Sequence, residues 1–437
     1  MPGDLGGTTG GSTTGGGTTG GSTTGGGTTG GGTTGGSTTG GSTTGGSTTG
    51  GGTTGGGTTG GSTTGGSTTG GSTTGGSTTG GRCQATGTFG RLASYPAGIN
   101  PTQVAVGDFN RDGSLDLAVA NSSYPAPGIS VLLNDRDGGF LSQVTYSYSA
   151  DAGDYPYSVA VGDFNGDGAL DLAVANFNNR TVGVFLNQGD GGFGPRTVYP
   201  VGAVPDAVAV GDFNGDGALD LVVANNVDGT VSVLLNDHDG GFAGQVTYDA
   251  GSNPNSVAVG DFNGDDAGDL AVVNYNDGTV GVLLNRGGGT FAAPVTYPVG
   301  NEPASVVVGD FNGDGKADLA VANSYDKTVS VLLNQGDGGF AAQDVYAAGN
   351  DPSSLAVGEL NRDGAPDLAV VNRGDDTVSV LLNRGDGGFA AQVVYDAGSA
   401  AQSVAVGDFH GDGVLDLVVT NSGADGGTVS VLPNVCQ

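Results

Sequence analysis

The sequence predicts an all-β fold, a seven-bladed β-propeller of four-stranded antiparallel blades, preceded by a Gly/Thr-rich low-complexity tail. The first observation is a motif, Val-Gly-Asp-Phe-Asn-Gly-Asp-Gly with variants, whose repeats are 55 residues apart once and 49 residues apart five times. Its first acidic residue stands at Asp108, Asp163, Asp212, Asp261, Asp310, Glu359 and Asp408. The second observation is that the apolar residues between motifs alternate with a period of two, and no long helical period occurs.

One repeat shows how a blade is built. Turn signals in the third repeat, Asp228-Gly229 and Asp239-Gly240-Gly241, separate apolar runs of strand length. The predicted strands are Ala207 to Val210, Leu221 to Asn225, Thr230 to Leu235 and Phe242 to Tyr248. A single four-stranded meander buries little surface, so seven of them arranged in a ring cover each other's faces.

The two ends of the repeat region predict how the ring closes. Residues 88–95 match only the fourth strand of a repeat, and residues 428–432 match only the third. We therefore expect the N-terminal strand 88–95 to complete the last blade. Cys83 and Cys436 both fall at the tip of the hairpin whose covalent turn is missing, and we interpret them as a disulfide that locks the ring; the alternative is two unpaired thiols. A disulfide also favours an oxidising compartment.

The sequence divides into a tail, residues 1–81, and a propeller, residues 82–437. From Gly6 to Gly80 the pentapeptide Gly-(Gly/Ser)-Thr-Thr-Gly repeats 15 times without an apolar side chain. A period of five matches neither a strand nor polyproline II, so no face of this segment is uniform. Three interpretations stay open: a flexible spacer, an O-glycosylated stalk, and a connector that docks into another propeller.

Composition excludes several classes of protein. With 12 basic and 44 acidic residues, the net charge of −32 repels nucleic acid. No apolar run is long enough to span a membrane. The chain has two histidines, His238 in a turn and His410 in a repeat motif, and no Ser/His/Asp or Cys/His set. We therefore predict that the protein is not an enzyme.

The loops between the first and second predicted strands carry the pattern Asp-x-Asn-x-Asp-Gly-x-x-Asp. Side-chain oxygens at positions one, three, five and nine, a backbone carbonyl at seven and a glycine at six suit Ca²⁺. The alternative is that these are simply good turns, but a turn does not need three mutually repelling carboxylates. We expect up to seven Ca²⁺, one per blade. The candidate ligands are Asp108, Asn110, Asp112, Ser114, Asp116, Asp163, Asn165, Asp167, Ala169, Asp171, Asp212, Asn214, Asp216, Ala218, Asp220, Asp261, Asn263, Asp265, Asp269, Asp310, Asn312, Asp314, Lys316, Asp318, Glu359, Asn361, Asp363, Ala365, Asp367, Asp408, Asp412, Val414 and Asp416.

Three of these loops depart from the pattern. The fourth has Asp266 where glycine is preferred, and the sixth begins with Glu359 and contains Pro366. The seventh has His410 in place of asparagine. Because a neutral imidazole is a poor calcium ligand, we expect His410 to point away or to hold a water, which makes the seventh site the least regular.

From Thr88 to Asn434 these residues resemble the FG-GAP or VCBS repeat family, the propeller type also found in integrin α subunits. The resemblance implies an extracellular or cell-surface protein with structural calcium loops on one face and partners on the opposite face. On that opposite face we expect a cluster of tyrosines near the longer first blade, as adaptable contacts for a partner; the alternative is ordinary variation among the loops. Its members are Tyr124, Tyr155, Tyr157, Tyr275 and Tyr325.

Two non-enzymatic functions are consistent with these features. In the first, the protein is the subunit of a self-assembling extracellular filament in which the tail connects propellers, and this predicts nearly uniform blades. In the second, the propeller is an adhesion head that binds a glycan or a protein, and the tail is its stalk. The blades are nearly uniform from the second onward, so the sequence favours the filament.

Overall fold

The structure is a computed structural model, and it describes residues 85–123, 127–148, 154–423 and 426–436. The tail, Cys83 and Tyr124 lie outside these ranges, and the side chain of Cys436 is not described. The disulfide therefore stays a prediction. Within the described ranges, no helix is long and apolar enough to cross a membrane.

The described residues form seven four-stranded antiparallel sheets and one two-stranded sheet. In blades one to six, each strand pairs with the next along the chain, from the first strand outward to the fourth. The strands of blades one to three are Pro101–Gly107, Asp116–Asn121, Gly128–Leu132 and Val144–Ser147; Pro156–Gly162, Asp171–Asn176, Thr181–Phe185 and Thr197–Pro200; and Pro205–Gly211, Asp220–Asn225, Thr230–Leu234 and Val246–Asp249. The strands of blades four to six are Pro254–Gly260, Asp269–Asn274, Thr279–Leu283 and Val295–Pro298; Pro303–Gly309, Asp318–Asn323, Thr328–Leu332 and Asp344–Ala347; and Pro352–Gly358, Asp367–Asn372, Thr377–Leu381 and Val393–Asp396.

The seventh blade takes strands from both ends of the described chain. Its inner strands are Ala401–Gly407, Asp416–Asn421 and Gly427–Leu432, and Ala93–Gly98 pairs with the last of these as the outer strand. Residues 88–95 are thus not one strand. Ala85–Phe89 instead pairs with Asn434–Cys436 in the two-stranded sheet.

The fourth strands begin later than the sequence predicts, for a reason that the third blade illustrates. Phe242 forms an isolated bridge with Asn236, and the strand itself begins at Val246. Because the Phe242 side chain is buried in the core between blades, the chain bends before the outer strand starts. Phe89 has the equivalent place in the seventh blade, which explains why the N-terminal segment is divided into two strands.

The hydrophobic core lies between neighbouring blades. In the cluster between blades two and three, Phe164 and Val182 pack with Leu221, Leu234 and Phe242. The second strands are buried along their whole length because both faces are covered. Seven such clusters follow one another around the ring, the last joining blade seven to blade one. All the members that the structure describes lie within residues 89–432.

Hydrogen bonds also join the blades: one set forms a complete ring, and a second set, which we call the second ring, joins five of the seven junctions. In the first ring a buried asparagine amide donates to a carbonyl of the preceding blade. The seven pairs are Asn134 with Phe409, Asn187 with Phe109, Asn236 with Phe164, Asn285 with Phe213, Asn334 with Phe262, Asn383 with Phe311, and Asn434 with Leu360.

The second ring lies on the first strands. There a side-chain oxygen of one blade accepts the backbone N–H of the next, as Ser158 accepts from Val208 at 3.1 Å and Ser256 from Val306 at 3.3 Å. The corresponding position of the third blade is Ala207, whose side chain has no oxygen. This junction therefore lacks a bond that its neighbours have.

Candidate functional site: the acidic loops and the opposite face

Each acidic loop is a tight turn held by its own side chains. In the second blade, Asp163 accepts the backbone N–H of Gly166 at Oδ1 and that of Gly168 at Oδ2, both at 2.8 Å. Asn165 Oδ1 accepts the N–H of Asp167 at 3.0 Å. Gly166 and Gly168 have φ of 71° and 86°, which favours glycine at these two positions. The first, third and fifth positions are thereby fixed in one turn.

The ninth-position aspartate has a structural role that the sequence analysis missed. Asp171 Oδ2 accepts the N–H of Phe164 at 2.9 Å, and Oδ1 accepts the N–H of Asn187 at 2.7 Å. Since Asn187 also donates to Phe109 O of the preceding blade, this carboxylate supports the ring of blade contacts. The regular recurrence of Asn187 and its counterparts is the signal that could have revealed it. The equivalent carboxylates make the same two bonds in every blade: Asp116, Asp171, Asp220, Asp269, Asp318, Asp367 and Asp416.

Negative charge is concentrated in these loops. Burial raises the pKa of Asp171 to about 6; the backbone hydrogen bonds oppose this rise, and the charges of Asp167 and Asp163 add to it. The same causes raise the pKa of Asp116 to about 6 and that of Asp367 to about 7. A bound cation would relieve this repulsion.

Basic side chains already approach the fifth-position carboxylates. Four of these carboxylates have a nitrogen of a basic residue within 3.2 Å. The pairs are Arg136 with Asp112, Arg111 with Asp167, His238 with Asp216, and Lys316 with Asp314. In these four loops the fifth position is therefore the point that a basic side chain approaches.

The donor set of the loops fits calcium by its chemistry, because it consists of carboxylate, amide and carbonyl oxygens. In the second loop the ion would be held by Asp163, Asn165, Asp167, Asp171 and the carbonyl of Ala169. Among the described residues, no three His, Cys, Asp or Glu side chains are gathered closely enough to hold a metal ion. The carboxylates instead accept backbone N–H groups, so the calcium sites stay a prediction.

The irregular loops keep the same backbone turn. Asp266 N donates to Asp261 Oδ2 at 2.9 Å, and Asp266 has φ of 67°, where other loops have glycine. In the seventh loop, His410 does not point away: its Nδ1 lies 2.7 Å from Oδ2 of Asp416. Because this histidine contacts the ninth-position carboxylate, the seventh loop differs most from the calcium pattern.

On the face opposite the acidic loops, the first strands begin close to the axis of the ring. The first strands of neighbouring blades contact each other around the ring, so they line its axis. Each first strand ends at an acidic loop and begins at the opposite face. There a backbone N–H that follows the second strand donates to a carbonyl just before the first strand, as Asn226 does to Val204 at 2.9 Å and Tyr275 to Asn253 at 3.0 Å.

Three positions on this face form what we call the variable mouth. They are the residue before the first strand, the second residue of that strand, and the residue after the second strand. The first set is Asn100, Tyr155, Val204, Asn253, Glu302, Asp351 and Ala400. The second set, in which all seven residues differ, is Thr102, Tyr157, Asp206, Asn255, Ala304, Ser353 and Gln402. The third set is Ser122, Phe177, Asn226, Tyr275, Ser324, Arg373 and Ser422.

The expected tyrosines lie on this face but are spread around it. Tyr155 and Tyr157 belong to the second blade, Tyr275 to the fourth and Tyr325 to the fifth. Tyr157 packs against Phe177, with ring centroids 5.4 Å apart, and no ring contact joins two of these tyrosines among the described aromatic pairs. The four described tyrosines therefore do not form the expected cluster, and Tyr124 lies outside the described residues.

Comparison with solved structures shows a shared fold. BBS1N, crystallised in complex with ARL6DN, is 15% identical, with a TM-score of 0.57 over 80% of this chain and 97% of that one. Virginiamycin B lyase from Staphylococcus aureus is 10% identical, with a TM-score of 0.54 over 78% of this chain and 98% of that one. An Agrocybe aegerita lectin that recognises non-reducing terminal N-acetylglucosamine is 22% identical, with a TM-score of 0.48 over 67% of this chain and 80% of that one. At such identities the likeness to the first two structures concerns the fold alone.

The sequence itself has a more specific relation. No curated protein matches it. FG-GAP-like repeats match residues 108–174, 163–223, 212–272, 267–321, 310–370 and 360–419. These matches overlap or adjoin from the first acidic loop to the second strand of the last blade, more than half of the chain. The chain therefore belongs to the FG-GAP-like repeat family.

Proposed function

We propose that this protein is an extracellular structural protein, a filament subunit in which the Gly/Thr tail connects calcium-stabilised propellers. The observation that carries this proposal is the separation of two features on opposite faces. The described chain begins at Ala85, which pairs with Cys436 beside the acidic loops; Asn434 there donates to Asp416. The variable mouth lies on the other face.

This arrangement suits a head-to-tail contact. A tail that leaves one face and binds the other face of the next copy makes a heterologous contact, which does not close and so generates a filament. The repeats from Gly6 to Gly80 would span on the order of 50 Å as a coil and roughly 230 Å if fully extended. Either length reaches a neighbouring propeller.

In the proposed function calcium has a structural role, and the protein is not an enzyme. The ions would neutralise the crowded loops and hold the ring together, a structural role. A role outside catalysis is supported by the environment of the two histidines, since His238 pairs with Asp216 and His410 with Asp416 in the acidic loops. An extracellular location is typical of the family and agrees with the predicted disulfide.

A second candidate function is an adhesion head for a glycan or a protein, with the tail as its stalk. The observation that favours it is the variable mouth, where the residue type changes from blade to blade while the rest of the repeat is nearly constant. A surface of this kind suits recognition of an asymmetric ligand.

Deletion of Gly6 to Gly80 separates the two functions. We expect the full chain to form fibres in calcium, visible by electron microscopy, and the deletion variant to remain a monodisperse monomer. A matched control replaces the tail with an unrelated flexible segment of equal length. Fibres of the deletion variant would refute the filament proposal.

A further inference from the structure

We propose that the variable mouth binds the Gly/Thr tail of a second copy of this chain, with Asp206 as its main acceptor. A backbone N–H or a threonine hydroxyl of the tail would donate to Asp206 Oδ1. This inference rests on the proposed function and names the docking site that the filament requires.

Asp206 has an unused acceptor. Its Oδ1 is buried and has no hydrogen-bond partner. Asn226 hydrogen-bonds to the Asp206 carboxylate, but its Nδ2 also donates to Asn255 Oδ1 at 2.6 Å, and Asn253 Nδ2 donates to Asn226 Oδ1 at 2.8 Å, so Oδ1 of Asp206 keeps no partner. A buried acceptor without a partner is costly in the free propeller, so a ligand that supplies a donor is favoured there.

Apolar surface flanks this acceptor. Tyr157 comes from the neighbouring blade, is 41% exposed and packs on Phe177. Val227, in the loop that follows Asn226, is 63% exposed. Val204 has φ of 57°, and the equivalent residue of five other blades has φ of 54° to 57°, so this turn belongs to the repeat and sets the position of Val204 beside the mouth. The mouth at blades two and three thus offers one acceptor between apolar patches.

The tail has the matching chemistry. It presents a backbone N–H at every residue and two threonine hydroxyls in each pentapeptide, with threonine methyl groups for the apolar patches. It carries no charge from Gly6 to Gly80, so the acidic propeller does not repel it. Glycine lets its backbone come close to the mouth. Ala85, the first described residue, pairs with Cys436 beside the acidic loops, on the face opposite the mouth, and this favours the mouth of another copy as the docking site.

The test is a binding measurement on the propeller alone, residues 82–437, a range that contains every strand and core cluster that the structure describes. The probe is a synthetic peptide of three Gly-Gly-Thr-Thr-Gly repeats, measured by calorimetry in calcium. We expect it to bind, and Asp206→Ala and Tyr157→Ala each to weaken binding at least about tenfold. Asp239→Ala, an exposed carboxylate beside the acidic loops, is the matched control and should bind as the parent does.

Three results would overturn this site. The first is that the parent propeller fails to bind the peptide, and the second is that the mouth variants bind it as tightly as the parent does. The third is that neutral oligosaccharides bind instead of the peptide and bind the same variants more weakly, which would make the mouth a sugar site. Full-length Asp206→Ala protein distinguishes this failure from failure of the proposed function. If this variant still forms filaments, the proposed docking site is wrong, whereas the proposed filament function is supported.

Discussion

The side-chain amide of Asn236 donates to the carbonyl of Phe164 across the boundary between the third and second blades, at 2.9 Å. The same amide donates to Leu219 O at 2.9 Å, and the backbone N–H of Asn236 donates to Asp220 Oδ1 at 2.8 Å. One buried residue thus joins an acidic loop, its own blade and the preceding blade. Equivalent contacts occur at all seven junctions, so the loops and the ring are one connected hydrogen-bond system.

Removal of one such amide should destabilise the ring. We expect Asn236→Ala to lower the free energy of unfolding by about 1–3 kcal/mol, because the buried carbonyl of Phe164 and the partly buried carbonyl of Leu219 lose their donor. Urea unfolding followed by circular dichroism measures this. Asp249→Ala, on an exposed outer strand, is the control, and equal stability of the two variants would contradict the assigned role.

The hydrogen bond that the second ring lacks between the third and fourth blades can be supplied by a substitution. Ala207→Ser places a hydroxyl where Ser158 and Ser256 accept a backbone N–H of the next blade. We expect a gain of about 0.5–1.5 kcal/mol in unfolding free energy, and a comparable loss for the reverse change, Ser256→Ala. Thermal melts of both variants provide the check; a destabilised Ala207→Ser protein would show that the junction has no room for the hydroxyl.

Much of this fold could be predicted from the sequence, because strand periodicity and repeat spacing are local signals. The number of blades and their four strands follow from the positions of Asp108 to Asp408. The divided N-terminal segment could not be predicted, since it depends on Phe89 turning into the core between blades. Similarly, the sequence shows that the second residue of the first strand, Asp206 in the third blade, differs from blade to blade. Only the closed ring shows that this position lies near the axis.

The acidic loops were predicted in part. The positions of their side-chain oxygens follow the spacing, whereas the two bonds that each ninth-position aspartate makes to backbone N–H groups depend on the approach of a distant turn. His410 shows the same limit: its contact with Asp416 depends on side-chain rotation within the loop. Such details arise from packing, which a local pattern does not encode.

The pH dependence of stability should depend on Asp206. Burial raises its pKa to about 7, and the hydrogen bond to Asn226 acts in the opposite direction. Since the folded pKa lies above the unfolded value of 3.8, this group's contribution is fully present below about pH 4 and is lost as the pH rises to about 7.

Asp206→Asn removes this titration. The variant should therefore gain stability relative to the parent at pH 8 but not at pH 4. Unfolding of both proteins at the same calcium concentration gives the difference, in which the contributions of the acidic loops cancel. Asp239→Asn is the exposed control. A stability difference that does not change with pH would contradict the burial of an ionisable Asp206.

Calcium should stabilise the propeller. Each ion that binds only the folded state at a hundred times its dissociation constant adds about 2.7 kcal/mol, and it also relieves the carboxylate repulsion in the loops. We expect a chelator to lower the melting temperature by many degrees and added calcium to restore it. Melting curves that coincide with and without chelator would rule out calcium as the stabilising ion.

Head-to-tail assembly through the tail is the central claim, and mixing two defective subunits tests it most directly. The first subunit lacks Gly6 to Gly80, so it has an intact mouth and no tail. The second is the full-length double variant Asp206→Ala, Tyr157→Ala, which has an intact tail and a damaged mouth. Neither should polymerise alone, and an equimolar mixture observed by mass photometry in calcium should contain heterodimers and no longer species. Filaments in the mixture, or no association at all, would contradict the account.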